Sequence, residues 1–465
     1  MQFPVPEDKF KDISMRLETI FCKTELNDLG RTSGFIRRQR IVSGLGFAQL
    51  CIQGAEESGL NASLTQLLAQ AGKLGMSLSP EGLNERFTAD AESFMKKLFT
   101  KVVGWHIEEA LELNTLDAFS EVLVEDSSNW QLPPGLKARF KGFGGGASEA
   151  GIKLNIRLGL KGANWQLCFR NATAPDNTSP LGRISARSLL LRDLGYFKID
   201  DFRSIEKSKA FYVSRFKYDT NVYLSADSTE KPIDLLTISR KMKVNEIRQI
   251  WCYIGRVERF RTRLVLQKIP SKVAEAKRKK LKEDKQNKRK NLSKDRLEFC
   301  DLNAFITNLP VESFGPQQVM NLYTIRWMIE IIFKVWKSVY RIDEMRPMNE
   351  YRFMCLLYGK LTWILLHHKL FSWIKRHFWN TFHIDVSELK GFKILQELKT
   401  DLQQALWNNS FQACFEFLNL LYQLIGNTAR KQVRRRKFNQ LLHFDQNHPP
   451  QPIANQNFKP CAALS

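Results

Sequence analysis

Tyr323-Thr-Ile-Arg326-Trp-Met-Ile-Glu330-Ile-Ile-Phe-Lys334-Val-Trp-Lys337 sets polar groups at helical intervals among large apolar side chains. At about 100° per residue, positions 323, 326, 330 and 337 fall within roughly 60° of one another. One face of a single helix is therefore expected to carry a phenol, a guanidinium, a carboxylate and an ammonium. Ile325, Met328, Ile329, Ile332 and Trp336 occupy the other faces. A polar stripe is ordinarily a solvated surface, but in surroundings this apolar it reads as the lining of a cleft.

Outward from that helix, two further carboxylates stand where an α/β sheet would collect them. Val122 and Val124 lie in a short apolar run that leads into Asp126, and Ser188-Leu-Leu-Leu-Arg192 reads as a buried strand that stops at Asp193. Both aspartates are expected at the C-terminal ends of buried strands, where side chains of neighbouring strands emerge together. An Asp at a strand end is often no more than a cap or turn residue. Three acids brought together repel and call for cations. Two divalent ions satisfy them and suit phosphoryl transfer, one activating the attacking oxygen and the other steadying the leaving oxygen. Hard oxygen ligands select Mg²⁺ or Mn²⁺.

The rest of the chain fits this frame. Leu64, Leu67 and Leu68, then Leu83, Phe87, Ala91, Phe94 and Leu98, recur at helical spacing, and Ser79-Pro80-Glu81 is a helix start. The turn between those helices permits a helix-turn-helix reader or an ordinary helical hairpin. Arg37, Arg38 and Arg40 beside Phe35 suit phosphate contact or a solvated basic turn. Ile152, Leu154, Ile156 and Leu158 alternate with Lys153, Asn155 and Arg157 as in a half-buried strand, with Trp165, Leu167 and Phe169 as its hairpin partner. Strand-like runs follow at 210–216, 222–225, 250–254, 264–269 and 305–306. Beyond Pro316 the pattern is helical almost to the end.

Charge narrows the class of partner. The 71 Lys and Arg against 48 Asp and Glu leave +23 over 465 residues, which favours a polyanion. Residues 272–296 alone hold 12 Lys or Arg against 4 acids, and a second basic run spans 430–437. The eight cysteines form no C-x-x-C pair, which argues against a zinc knuckle or redox motif, and no apolar run approaches a membrane span. Gly144-Gly145-Gly146 lacks the Lys-Ser/Thr of a phosphate loop and reads as a turn. His367-His368 are adjacent, so their rings face different ways and make a poor metal pair.

The spacing Y-x2-R-x3-E-x6-K, met by Tyr323, Arg326, Glu330 and Lys337, resembles the signature of the insertion-sequence-four (IS-four) family of DDE transposases. Val124-Glu125-Asp126-Ser127-Ser128 looks like that family's first acid segment, and Arg192-Asp193-Leu194-Gly195-Tyr196-Phe197 like its second. Phe143-Gly144, Ala147, Ile152-Lys153-Leu154 and Thr307-Asn308 extend the likeness, which covers about 118–370.

The resemblance implies an α/β, RNase H-like (retroviral integrase-like) catalytic core with a β-rich insertion, flanked by helical N- and C-terminal domains. It divides the chain into a DNA-binding domain at 1–115, core segments at 116–205 and 311–370, and the insertion at 206–310. A helical DNA-binding or dimerisation region at 371–445 and a disordered tail at 446–465 complete it. Asp126, Asp193 and Glu330 are the expected catalytic and metal-binding acids. Tyr323, Arg326 and Lys337, with Arg37, Arg38 and Arg40, are the expected DNA contacts. The implied activity is cut-and-paste transposition: a homodimer binds terminal inverted repeats and target DNA, cleaves with two Mg²⁺ or Mn²⁺ ions and transfers strands. A hairpin intermediate, with a flipped base stacked on an aromatic, is one route. Trp251 and Phe299 are candidates for that aromatic, and each suits the core better than a wedge. A cytoplasmic, nucleoid-associated protein is expected. The rival readings are an inactive transposase-derived DNA binder and a metal-dependent RNase H-like nuclease.

Overall fold

A computed structural model describes residues 2–38, 41–57, 60–107, 114–161, 164–175, 182–227, 229–287, 292–408 and 410–431. Its strands are β1 (Val122–Leu132), β2 (Ala150–Gly159), β3 (Trp165–Asn171), β4 (Leu189–Arg192), β5 (Phe211–Arg215), β6 (Val222–Tyr223), β7 (Ile247–Ile254), β8 (Phe260–Lys268) and β9 (Leu302–Thr307). The architecture is mixed α/β and falls into two compact units. One takes in Met1–Glu112, Ser127–Ala174 and Met328–Gln440, the other Leu113–Asp126 and Pro175–Trp327. Strand β1 passes from the second unit into the first between Asp126 and Ser127.

In the second unit the strand order is β1-β4-β5-β9-β8-β7-β6. β4 pairs in parallel with both β1 and β5, while β9, β8, β7 and β6 continue the sheet antiparallel. Strands at the centre of a parallel run are covered on both faces, which is why Leu189-Leu190-Leu191 shows no alternation and is wholly buried. One sheet face packs Leu190, Tyr212, Leu264 and Ile306 against Phe202 and Ile205 of the helix Ile199–Lys207. The predicted strands at 210–216, 250–254, 264–269 and 305–306 are all present within a few residues of their expected limits. The basic stretch begins as the helix Ser271–Asn287, anchored by Lys277 Nζ on Asn303 Oδ1 at 2.7 Å and by Arg278 on Asp301, with Lys279, Lys280 and Lys282 exposed.

The first unit is built on the 33-residue helix Glu350–Phe382. Its apolar residues run all the way round, as befits a buried helix rather than an amphipathic one. Gly359 lets it meet the helix Gly44–Glu57, since a Cβ there would stand 2.6 Å from the Cys51 carbonyl oxygen. The cations it buries have partners: Lys369 Nζ donates to the Val103 and Trp105 carbonyls at the end of the helix Ala89–Gly104. Ser79 caps the helix Pro80–Asn84 with Pro80 in its first turn, as its sequence predicts. No helix among the described residues is long and apolar enough to cross a membrane.

One strand departs from its expected burial. The hairpin β2–β3 pairs Ile152 with Asn171 and Leu158 with Trp165, but all ten residues of β2 are buried, including the face that carries Lys153, Asn155 and Arg157. Two of its groups find partners inside the fold: Lys153 Nζ donates to the Ala174 carbonyl and Arg157 Nη1 to Gln166 Oε1. Alternation predicts two unlike faces, and only the partners decide whether the polar one meets water.

Candidate active site

The two aspartates are placed by a buried ion pair behind them. The β1–β4 register runs from Val122 opposite Leu189 to Glu125 opposite Arg192. Glu125 and Arg192 side chains are 0% and 4% exposed, and Arg192 Nε and Nη2 both lie 3.0 Å from Glu125 Oε2. Arg192 Nη1 also donates to Asp201 Oδ2 at 2.7 Å. Asp126 and Asp193 come one residue later on each strand. Because side chains alternate in extended backbone, which Asp193 keeps at φ −77°, ψ 167°, both carboxylates emerge on the opposite face, side by side. Asp193 ends its strand as expected. Asp126 does not: β1 continues to Leu132, and what ends at Glu125 is the parallel pairing with β4.

Between the two acids lies Arg326. Its Nη1 is 3.5 Å from Asp126 Oδ2 and its Nε 3.9 Å from Asp193 Oδ1. The Tyr323 hydroxyl donates to the same Asp193 oxygen at 3.3 Å. Tyr323 is buried, its ring 4.9 Å from that of Phe305 on β9 and flanked by the guanidinium groups of Arg215 and Arg326, each 5.6 Å from its centroid. Burial raises the Tyr323 hydroxyl above its ordinary pKa, against the pull of Arg326 and Arg215, so it stays a donor. The expected single helix is two, Pro316–Thr324 and Trp327–Ser338, joined at Ile325-Arg326. The Arg326 amide there reaches back only three residues, to the Tyr323 carbonyl.

Glu330 and Lys337 lie on the second of these helices, in the first unit. Seven residues apart, they share a face to within roughly 20°. Lys337 Nζ donates to the Asn129 carbonyl on the later part of β1 at 3.4 Å, and Glu330 is exposed. The opposite side of the helix is fixed by Trp336, stacked on Trp165 of β3 and donating to His368 Nε2 at 2.6 Å. His368 is held at about 3 and His367 well below its ordinary value, both chiefly by burial, and Tyr340 Oη lies 2.6 Å from His367 Nδ1. These histidines are neutral core groups.

The structure brings together Asp126, Asp193, Tyr323 and Arg326, all in the second unit, while Glu330 and Lys337 belong to the first. Arg37 and Arg38 are exposed, Arg37 pairing with Asp90 at 3.2 Å beside a groove of about 670 Å³ that also contains Phe35 and Arg86. Arg40 lies outside the described residues. Among those residues no group of three or more His, Cys, Asp or Glu gathers as a metal cluster. The donor set nonetheless suits a hard cation: two half-buried carboxylates face one way, with a guanidinium between them. Sequence reading missed Glu125, Arg192 and Arg215. The Glu-Asp and Arg-Asp dipeptides at matched strand positions are the signal that was available for the first two.

Comparison with known proteins completes the picture. Residues 117–366, just over half the chain, match the family model described as transposase DDE domain. The transposase for insertion sequence element IS231F of Bacillus thuringiensis subsp. israelensis is 30% identical over 435 residues, covering 89% of this chain and 90% of its own. That for IS231E of Bacillus thuringiensis subsp. finitimus is 28% identical over 436 residues, with 89% and 90% covered. That for IS1151 of Clostridium perfringens is 28% identical over 457 residues, with 93% and 96% covered. Family model and full-length relatives agree, and the chain belongs to the IS-four family of DDE transposases, enzymes that cleave DNA and transfer its strands.

Proposed function

We propose that this transposase cuts its element at the terminal inverted repeats and joins it to target DNA through one three-acid site, Asp126, Asp193 and Glu330. The observation that supports this most is the emergence of Asp126 and Asp193 together from a parallel strand pair, with Arg326 between them. Glu330 enters the reading through its place in the signature. The parallel run β1-β4-β5, bearing these acids, supports an RNase H-like core, and β6–β9 with the basic helix support an insertion at 206–310.

The three carboxylates would hold a divalent pair, Mg²⁺ or Mn²⁺, which when bound supplies activation of the attacking oxygen and charge relief on the leaving one. The chain's own groups position the DNA. Arg326 offers a fork to two phosphate oxygens, Lys337 a point charge and Tyr323 a hydroxyl donor kept protonated by burial. Arg37, Arg38 and Arg40, the helix Ser271–Asn287 and the run 430–437, of which 432–437 lie outside the described residues, supply cationic charge for the flanking duplex. In a hairpin route, Trp251 is the better stacking candidate: it is half-buried on β7 under Arg261, 4.9 Å from its centroid, whereas Phe299 packs on Phe216 and Tyr218. Two ends held at once call for two protomers.

The test is cleavage of a labelled duplex carrying the inverted repeat, with Mg²⁺ or Mn²⁺, by wild type, Glu330→Gln and Asp193→Asn. Metal-dependent cutting lost in both variants, with end binding kept, is the expected result. Equal cutting by the variants overturns the assignment, and binding without cutting by wild type marks an inactive relative.

A further inference from the structure

Arg326 is placed oddly for a residue whose only task is to hold DNA. Its guanidinium sits between both acids, 3.5 Å from Asp126 and 3.9 Å from Asp193, and its side chain is 10% exposed. Both separations exceed the roughly 2.7–2.9 Å of a tight charge-assisted bond. The guanidinium is thus shared between the acids rather than locked to either. A divalent ion brings two carboxylates more positive charge than one guanidinium does, so it suits them better once the guanidinium has gone. While Arg326 stays, the two cations repel at close range.

Arg326 also has somewhere to go and something to draw it. It lies in the two-residue joint between helices, where its amide makes a short-range bond to the Tyr323 carbonyl. A phosphodiester presents the paired oxygens that a guanidinium fork prefers. Arg215, on the same tyrosine ring, adds a second positive charge to attract that phosphate.

We propose that Arg326 is an internal counter-cation that competes with divalent metal for Asp126 and Asp193 until a DNA phosphate draws it away. This rests on the three-acid reading above. Metal and DNA then favour each other's binding, and by linkage each raises the other's affinity by the same factor. Metal is thereby bound weakly until DNA arrives.

The experiment measures Mn²⁺ binding to the full chain by electron paramagnetic resonance, with and without saturating end duplex. Wild type is expected to bind Mn²⁺ about tenfold or more tightly with DNA, within the usual range of such couplings. Arg326→Gln is expected to bind Mn²⁺ about tenfold more tightly than wild type without DNA, and to gain little from adding it. Arg326→Lys, which keeps the charge, should stay closer to wild type. Lys243→Gln, a charge removed from an exposed site elsewhere on the same unit, should change nothing. Equal DNA-free affinity in wild type and Arg326→Gln overturns the proposal, as does wild-type Mn²⁺ affinity indifferent to DNA, a readout needing no variant. Mn²⁺ binding unaffected by Asp126→Asn would instead overturn the three-acid reading itself.

Discussion

Removing one partner of the Glu125–Arg192 pair should be among the costliest substitutions away from the chemistry. The Glu125 side chain is fully buried and Arg192 nearly so, and the two nitrogens at 3.0 Å make the pair intimate. Taking either partner away leaves a buried charge without its closest counter-ion, and breaking such a pair costs about 3–5 kcal/mol. Glu125→Leu leaves Arg192 with only Asp201, whose side chain is 24% exposed, and Arg192→Met leaves the Glu125 carboxylate without this cation. At about 1.4 kcal/mol per factor of ten, amide protection in peptides spanning Val122–Asp126 and Leu189–Asp193 should fall at least about 100-fold in either single variant. The double variant, which removes both charges, should recover most of that loss. Hydrogen exchange by mass spectrometry reads all three. Single variants that lose less than about tenfold, or a double variant as weak as the sum of the singles, would refute the reasoning that this pair locks the two strand ends in register.

Other consequences follow from the same geometry. His368 is neutral when folded, with its value near 3 against an ordinary 6.5, so its contribution to stability is complete above about pH 6.5 and is lost progressively as pH falls toward 3. His368→Gln keeps an acceptor for Trp336 and should flatten the fall in melting temperature between pH 7 and pH 5; parallel profiles would contradict this. Gly359→Ala should cost about 1–3 kcal/mol, because the new methyl meets the Cys51 backbone, and thermal melting would show it. Losing Arg37 and Arg38 together should make the dependence of log K for end binding on log salt shallower by about 0.9 for each phosphate contact removed. An unchanged slope would take both off the DNA surface.

Much of the fold was legible because its signals are local. The Leu189–Leu191 run, the Ile152–Leu158 alternation and the Ser79-Pro80 start each declare their element within a few residues. The two aspartates were legible for a second reason: each follows an apolar run, Asp193 at the end of its strand and Asp126 where the parallel pairing of β1 with β4 stops. What stayed hidden depends on partners distant in the chain. Nothing near Glu125 says that Arg192, 67 residues away, will neutralise it, nor near Lys153 that its ammonium will find the Ala174 carbonyl. The joint at Ile325-Arg326 was also unreadable, since neither residue is a helix breaker and helical periodicity runs through it unbroken. Tyr323 and Arg326 belong to one unit and Glu330 to the other.

Strand transfer tests the transposase site most directly. Duplexes with a pre-exposed 3′-hydroxyl at the inverted repeat would be mixed with plasmid target and Mg²⁺, using wild type and Asp126→Asn. Labelled ends joined to plasmid by wild type alone, with end binding equal in both proteins, is the expected outcome. Hydrolysis without joining would make the chain a nuclease, and joining by Asp126→Asn would remove Asp126 from the chemistry.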